Sequence, residues 1–135
     1  MKTPIEIMFE YSGNTVPSVQ LLLNNQQIDC TLSNIKNKYG HYCLKTVADL
    51  QEKNVLSTKV TGLSPGEYIS LKEIFANNIR LGFVMFLCST VNEAQSTMLT
   101  SDGKIDIELN TPIWEFFCIK TNSFNYKDYP LGSTN

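Results

Sequence analysis

The sequence predicts an all-β protein, an antiparallel β-sandwich of roughly eight to ten short strands with at most short helical turns, on three observations. Apolar and polar residues alternate with period two in several separate segments. Turn-forming residues punctuate those segments at near-regular spacing, with no internal repeat, linker or low-complexity tract between them. At 135 residues and 42% hydrophobic composition, residues 1–135 suffice for one domain with a real core.

Element by element, Ile5, Ile7, Phe9 and Tyr11 alternate with Glu6, Met8 and Glu10, a half-buried strand closed by Ser12-Gly13-Asn14. Val19, Leu21 and Leu23 continue the pattern up to Asn24-Asn25. The two segments are expected to pair as a hairpin, with a third short strand over 26–32. Asn34 to Tyr39 is polar and turn-prone. His41 to Leu50 reads as a strand and turn, or as the approach to a short helix through Gln51 and Lys53. Leu56, Thr58 and Val60 alternate before Ser64-Pro65-Gly66. Ser70-x-x-Glu73 has capping-box spacing and predicts one helical turn. Arg80 to Thr90, apolar on both faces, predicts a covered central strand. Met98–Thr100 and Ile105–Leu109 flank Asp102-Gly103 as a second hairpin. Ile113 to Thr121 is expected to be the last strong strand, and 122–135 a closing strand with a loose tail.

Composition narrows the function classes. Net charge is −2 with 18% charged residues, and the eleven Lys and Arg form no basic stripe, which argues against nucleic acid as a partner. The longest apolar run, Leu81 to Cys88, is too short to span a bilayer, so no membrane partner is expected. Met1–Pro4 carries no apolar leader, which predicts a cytoplasmic protein; a leader removed from it would make it a secreted one. Cys30, Cys43, Cys88 and Cys118 are widely spaced without a CxxC pair and predict reduced thiols acting as small hydrophobes.

Catalytic and metal chemistry finds little purchase. His41 is the single histidine, and no nucleophile motif accompanies it. Asp102, Asp106 and Glu108 could hold calcium with backbone carbonyls, but a solvated strand face explains them better. No metal or cofactor is therefore expected. Glu115 and Asp128 are the carboxylates that a glycosidase would need. Trp114, Phe124, Tyr126 and Tyr129 are aromatics that could stack on sugar rings, with Tyr39, Tyr42 and Tyr68 elsewhere.

The run Trp114-Glu115-Phe116-Phe117-Cys118 resembles a tryptophan-acid-Phe-Phe-Glu segment of the thaumatin-like domain of laminaripentaose-producing β-1,3-glucanases, where it lies on a long strand. The resemblance covers about a quarter of the chain. It implies a thaumatin-like or jelly-roll-like sandwich, places Cys118 where the catalytic glutamate would stand, and puts Asp128 near a later aspartate at shorter spacing. With a thiol in the acid position, it turns the expectation from hydrolysis to recognition. The leading expectation is a noncatalytic, lectin-like carbohydrate-binding module for β-glucan-type ligands, using Trp114, Glu115, Tyr126, Asp128 and Tyr129. A structural or self-assembling protein of a viral or storage particle, held by homo-oligomeric contacts, is the alternative, because a low-charge Asn/Ser/Thr-rich surface packs with little desolvation of charge. A glycoside hydrolase is the third. Purified protein incubated with laminarin is expected to release no reducing ends; turnover that disappears in Glu115→Gln or Asp128→Asn would restore the enzyme.

Overall fold

The computed structural model describes residues 2–123. Two six-stranded antiparallel sheets pack face to face, an all-β sandwich with little helix. The strands are β1 (Lys2–Tyr11), β2 (Ser18–Leu23), β3 (Gln26–Ile28), β4 (Thr31–Asn34), β5 (His41–Asp49), β6 (Val55–Thr61), β7 (Ile69–Ala76), β8 (Ile79–Arg80), β9 (Ser89–Val91), β10 (Ala94–Gln95), β11 (Met98–Leu99) and β12 (Gly103–Glu108). Helix α1 covers Val84–Cys88 and α2 covers Ile113–Ser123. The first sheet runs β11-β7-β1-β5-β4, with β8 added to β7; the second runs β10-β9-β12-β6-β2-β3.

Alternation builds the core. Ile5, Ile7, Phe9 and Tyr11 face inward from β1, beside Leu44 and Ala48 of β5 and Ile69, Leu71, Ile74 and Ala76 of β7, all buried. The opposing sheet contributes Leu21, Leu56, Val60, Ile105 and Ile107. Three hairpins close on two-residue turns with positive φ at both positions: Asn24-Asn25 (49° and 68°), Asn77-Asn78 (51° and 64°) and Asn92-Glu93 (50° and 68°). Asparagine tolerates that left-handed backbone better than most residues, and its twist suits antiparallel strands.

The structure corrects several expectations. Ile5–Tyr11 and Val19–Leu23 are not a hairpin, since β1 and β2 lie in different sheets. Met98–Leu99 and Gly103–Glu108 are likewise split, β11 joining β7 and β12 joining β6 and β9. Ser70 to Glu73 is strand, with a register shift in the β1–β7 pairing that keeps Leu71 and Ile74 both inward. Glu73 caps no helix. Its carboxylate accepts hydrogen bonds from Ile74 N and Gly82 N (3.0 Å each) and from Arg80 Nε (2.6 Å). That carboxylate, with Gly82 at φ 57°, turns the chain inside the segment read as one strand over 80–90, which becomes β8, α1 and β9.

The run from Ile113 is a helix, not a strand. Ile113 and Phe116 are buried and Phe117 and Lys120 half-buried, the i, i+3, i+4, i+7 set of one helical face. Pro112 precedes the run and accepts from Phe116 N at 2.9 Å. Glu115 in the first turn and Lys120 in the last suit the helix dipole. A short apolar run does not distinguish the two periods, and here the flanking chemistry favours the helix. Of the closing strand expected over 122–135, the first two residues end α2 and the rest lies outside the described residues. His41–Asp49 is strand throughout, and 50–54 is a turn rather than a helix start. All four cysteines are free.

That turn is organised by Asn54, which is buried. Its Nδ2 donates to Gln51 O and Leu109 O (2.8 Å each), and its Oδ1 accepts from Gln51 N at 2.8 Å. Its backbone N–H donates to Asn110 Oδ1 at 3.1 Å, tying the β5–β6 connection to the end of β12. Asn54→Ala leaves buried backbone groups unpaired and is expected to cost about 1–3 kcal/mol; an unchanged urea midpoint would show that the turn does not depend on it.

Candidate functional site

The two ends of the sandwich differ. The Asn24-Asn25 and Asn77-Asn78 turns and the Asn54 connection close one end, while loops 12–17, 35–40 and 62–68 gather at the other. Binding surfaces are disproportionately built on such loops, held by a rigid scaffold.

Loop 35–40 is braced by its own backbone. Ile35 N donates to His41 O (2.9 Å), His41 N to Lys38 O (3.2 Å), and Tyr11 N to Gly40 O (2.8 Å). Asn37 and Gly40 take the positive φ that these turns require, 62° and 77°. The loop lifts Tyr39 out of the surface, 84% exposed, and its hydroxyl donates to Asn14 Oδ1 at 3.0 Å. Below it Tyr42 stacks on the core ring of Phe9, centroids 5.5 Å apart. A cavity of about 660 Å³ is lined by Asn14, Asn34, Lys36, Asn37, Tyr39 and His41, among others. An upright aromatic ring beside three amides can stack against an apolar sugar face and hydrogen-bond its rim. Asn14 also lines an adjoining groove of about 390 Å³, with Tyr11, Val16, Gly62 and Glu67. There a Cβ at Gly13 would collide with the Tyr11 hydroxyl and the Glu67 carboxylate. Burial, and then the hydrogen bond that the phenol donates to the Glu67 carboxylate, push the Tyr11 phenol up to about 12.

The residues expected from the sequence are distributed differently. Trp114 is 62% exposed on α2 and stacks on Phe117 with centroids 5.5 Å apart at 13°. Glu115 is exposed too, but it lines a separate shallow groove of about 240 Å³ with Glu108, Asn110, Ile119 and Lys120. In that groove Lys120 Nζ meets Glu108 Oε1 at 2.7 Å, and this hydrogen bond raises the lysine pKa. Tyr126, Asp128 and Tyr129 lie outside the described residues. Half-buried His41 faces Glu10 at 3.9 Å. A further groove of about 490 Å³ crosses the outer face of the first sheet between Pro4, Lys45, Val47, Phe75 and Asn78. Its charges are paired, Lys45 to Glu6 at 3.4 Å. The sequence reading noted Tyr39 as an aromatic but did not join it to Asn14. An asparagine-rich turn-prone segment carrying a tyrosine was the available signal.

No protein-family model matches the chain, and no curated protein does. Two solved structures are similar in fold. One is vCBM60 in complex with galactobiose, 13% identical, TM-score 0.52, covering 77% of this chain and 96% of the other. The second is the selenomethionine form of vCBM60, from work describing circular permutation as an evolutionary link between two families of calcium-dependent carbohydrate-binding modules; it is 13% identical, TM-score 0.51, covering 78% and 89%. At this identity the likeness establishes the β-sandwich fold.

No group of three or more His, Cys, Asp or Glu that could hold a metal ion converges among the described residues. The three carboxylates of the β12 region are each engaged: Asp102 by Gly62 N and Leu63 N, Asp106 by Ser57 Oγ, and Glu108 by Lys120 and Asn110.

The two backbone donors at Gly62 and Leu63 lower the Asp102 pKa. A carboxylate depressed in the folded state stabilises above its unfolded pKa, about 3.9, and loses that contribution as pH falls through the folded value. Asp102→Asn is therefore expected to be less stable than the parent near pH 7, with the gap closing in acid below about pH 3.9. Denaturation midpoints that differ equally at both pH values would refute the assignment.

Proposed function

We propose that this chain is a noncatalytic carbohydrate-binding module that takes a glycan at its loop end, with the Tyr39 ring as platform and Asn14, Asn34 and Asn37 as hydrogen-bonding partners. The observation that carries the reading is the Tyr39 ring itself, open to solvent yet pinned through its hydroxyl to Asn14. A ring immobilised before the ligand arrives loses little entropy on binding. The neutral amides around it suit hydroxyl recognition, and the shared fold with vCBM60 adds support. β-Glucan-type chains remain the expected ligand class, with galactose-based ones beside them because of the similar fold.

Trp114 on its Phe117 stack is the competing platform. A self-association reading also has support, since Trp114, Ile119, Phe86 and Phe83 are all exposed. A glycan array followed by titration of the best hit separates these. Tyr39→Ala is expected to weaken binding at least about tenfold, while Tyr39→Phe, keeping the ring without its pin, falls between. Loss in Trp114→Ala instead would move the platform to α2. An array without hits, together with a light-scattering mass above the monomer that Trp114→Ser restores, would favour assembly.

A further inference from the structure

We infer that the loop-end cavity prefers a negatively charged sugar residue, carboxylated or sulfated, over its neutral counterpart. The inference rests on the reading of that cavity as a glycan site. The chain as a whole is acidic, with a net charge of −2. The cavity beside Tyr39 has the opposite character: Lys36 and Lys38 line it, and no Asp or Glu does among the described residues. Neither lysine makes an ion pair among the described residues. Two of the other grooves differ, because Lys45 is paired with Glu6 at 3.4 Å and Lys120 with Glu108 at 2.7 Å.

The carboxylates nearest the cavity are occupied. Glu10, facing His41 at 3.9 Å, is held by Lys72 at 3.3 Å. Glu67, across Asn14 in the adjoining groove, accepts from Ser64 N at 2.9 Å. Two ammonium groups without an ion-pair partner among the described residues, beside an aromatic platform and neutral amides, form a division of labour. The ring takes the apolar sugar face, the amides take hydroxyls, and the lysines are left for a charge that a neutral sugar does not supply. Both lysines sit on an exposed loop, so each charge contact is partly screened and is worth a few-fold in affinity rather than orders of magnitude.

The test is calorimetric titration with four probes: a β-linked glucuronate oligosaccharide, its methyl ester, a sulfated glucan oligosaccharide and the parent neutral glucan oligosaccharide. The glucuronate is expected to bind roughly three- to tenfold tighter than its methyl ester at low salt, with the advantage shrinking in 0.5 M NaCl. In the double variant Lys36→Gln/Lys38→Gln, charged and neutral probes are expected to bind alike, with an unchanged denaturation midpoint. Preference for the sulfated probe alone would keep the inference and identify the anion as sulfate. Neutral or esterified probes binding as well as both charged ones would overturn it while leaving the glycan-binding reading intact. A preference that persists in the double variant would also overturn it. No binding of any probe, in a protein that also fails on the array, would remove both.

Discussion

The sandwich depends on the inward row of β1. Ile5, Ile7, Phe9 and Tyr11 lie between β5 and β7 and are essentially excluded from water. Full burial of a large apolar side chain contributes about 1.5–3 kcal/mol, so this row alone outweighs any single polar contact in the molecule. Because side chains alternate with period two, a slip of one residue would turn Glu6, Met8 and Glu10 into the core. The outward row instead carries charges, Lys45 reaching Glu6 directly across the register and Lys72, at the β1–β7 register shift, reaching Glu10. Register, core and outer surface thus follow from one constraint on one strand.

The legible part of the sequence was that alternation. Ile5–Tyr11, Val19–Leu23, Leu56–Val60 and Ile105–Leu109 are inward rows, and the all-β sandwich follows from them. Pairing was less legible. Neighbouring strands looked like hairpins, but β1 and β2 cross between sheets, and nothing local distinguishes a long loop that returns from one that crosses. The Ile113 run misled because its apolar residues are dense enough to fit either period, and burial at 113 and 116 emerges only once the helix packs. The segment over 80–90 failed for a different reason. Its course is set by the Glu73 carboxylate, which reaches Gly82 nine residues away and leaves no trace in local pattern.

The same distinction holds for the candidate site. Aromatic and amide residues were recognisable as chemistry that a sugar site could use, and Trp114 lies at the surface. Their grouping was not recognisable. Tyr39 and Asn14 are 25 residues apart in sequence and meet because β1 and β5 are paired antiparallel, so that the loop after β1 and the loop before β5 share one end of the sandwich. Glu115 and Trp114 are neighbours in sequence, yet the helix sends them toward different surfaces. A site distributed over loops is a product of topology and therefore among the last properties a sequence discloses.

The pairing of β1 has a kinetic consequence. Its partners are distant: Lys2 stands opposite Asp49, and Ile5 opposite Ala76. The asparagine-turn hairpins, by contrast, close over two residues and can form as soon as they leave the ribosome. β1 is made before both of its partners and must therefore wait, its apolar face unmatched, until β5 and β7 follow. Long loop closures of this kind slow folding relative to local contacts. Closing the first sheet thus joins segments far apart in sequence, a search that the two-residue hairpins do not need.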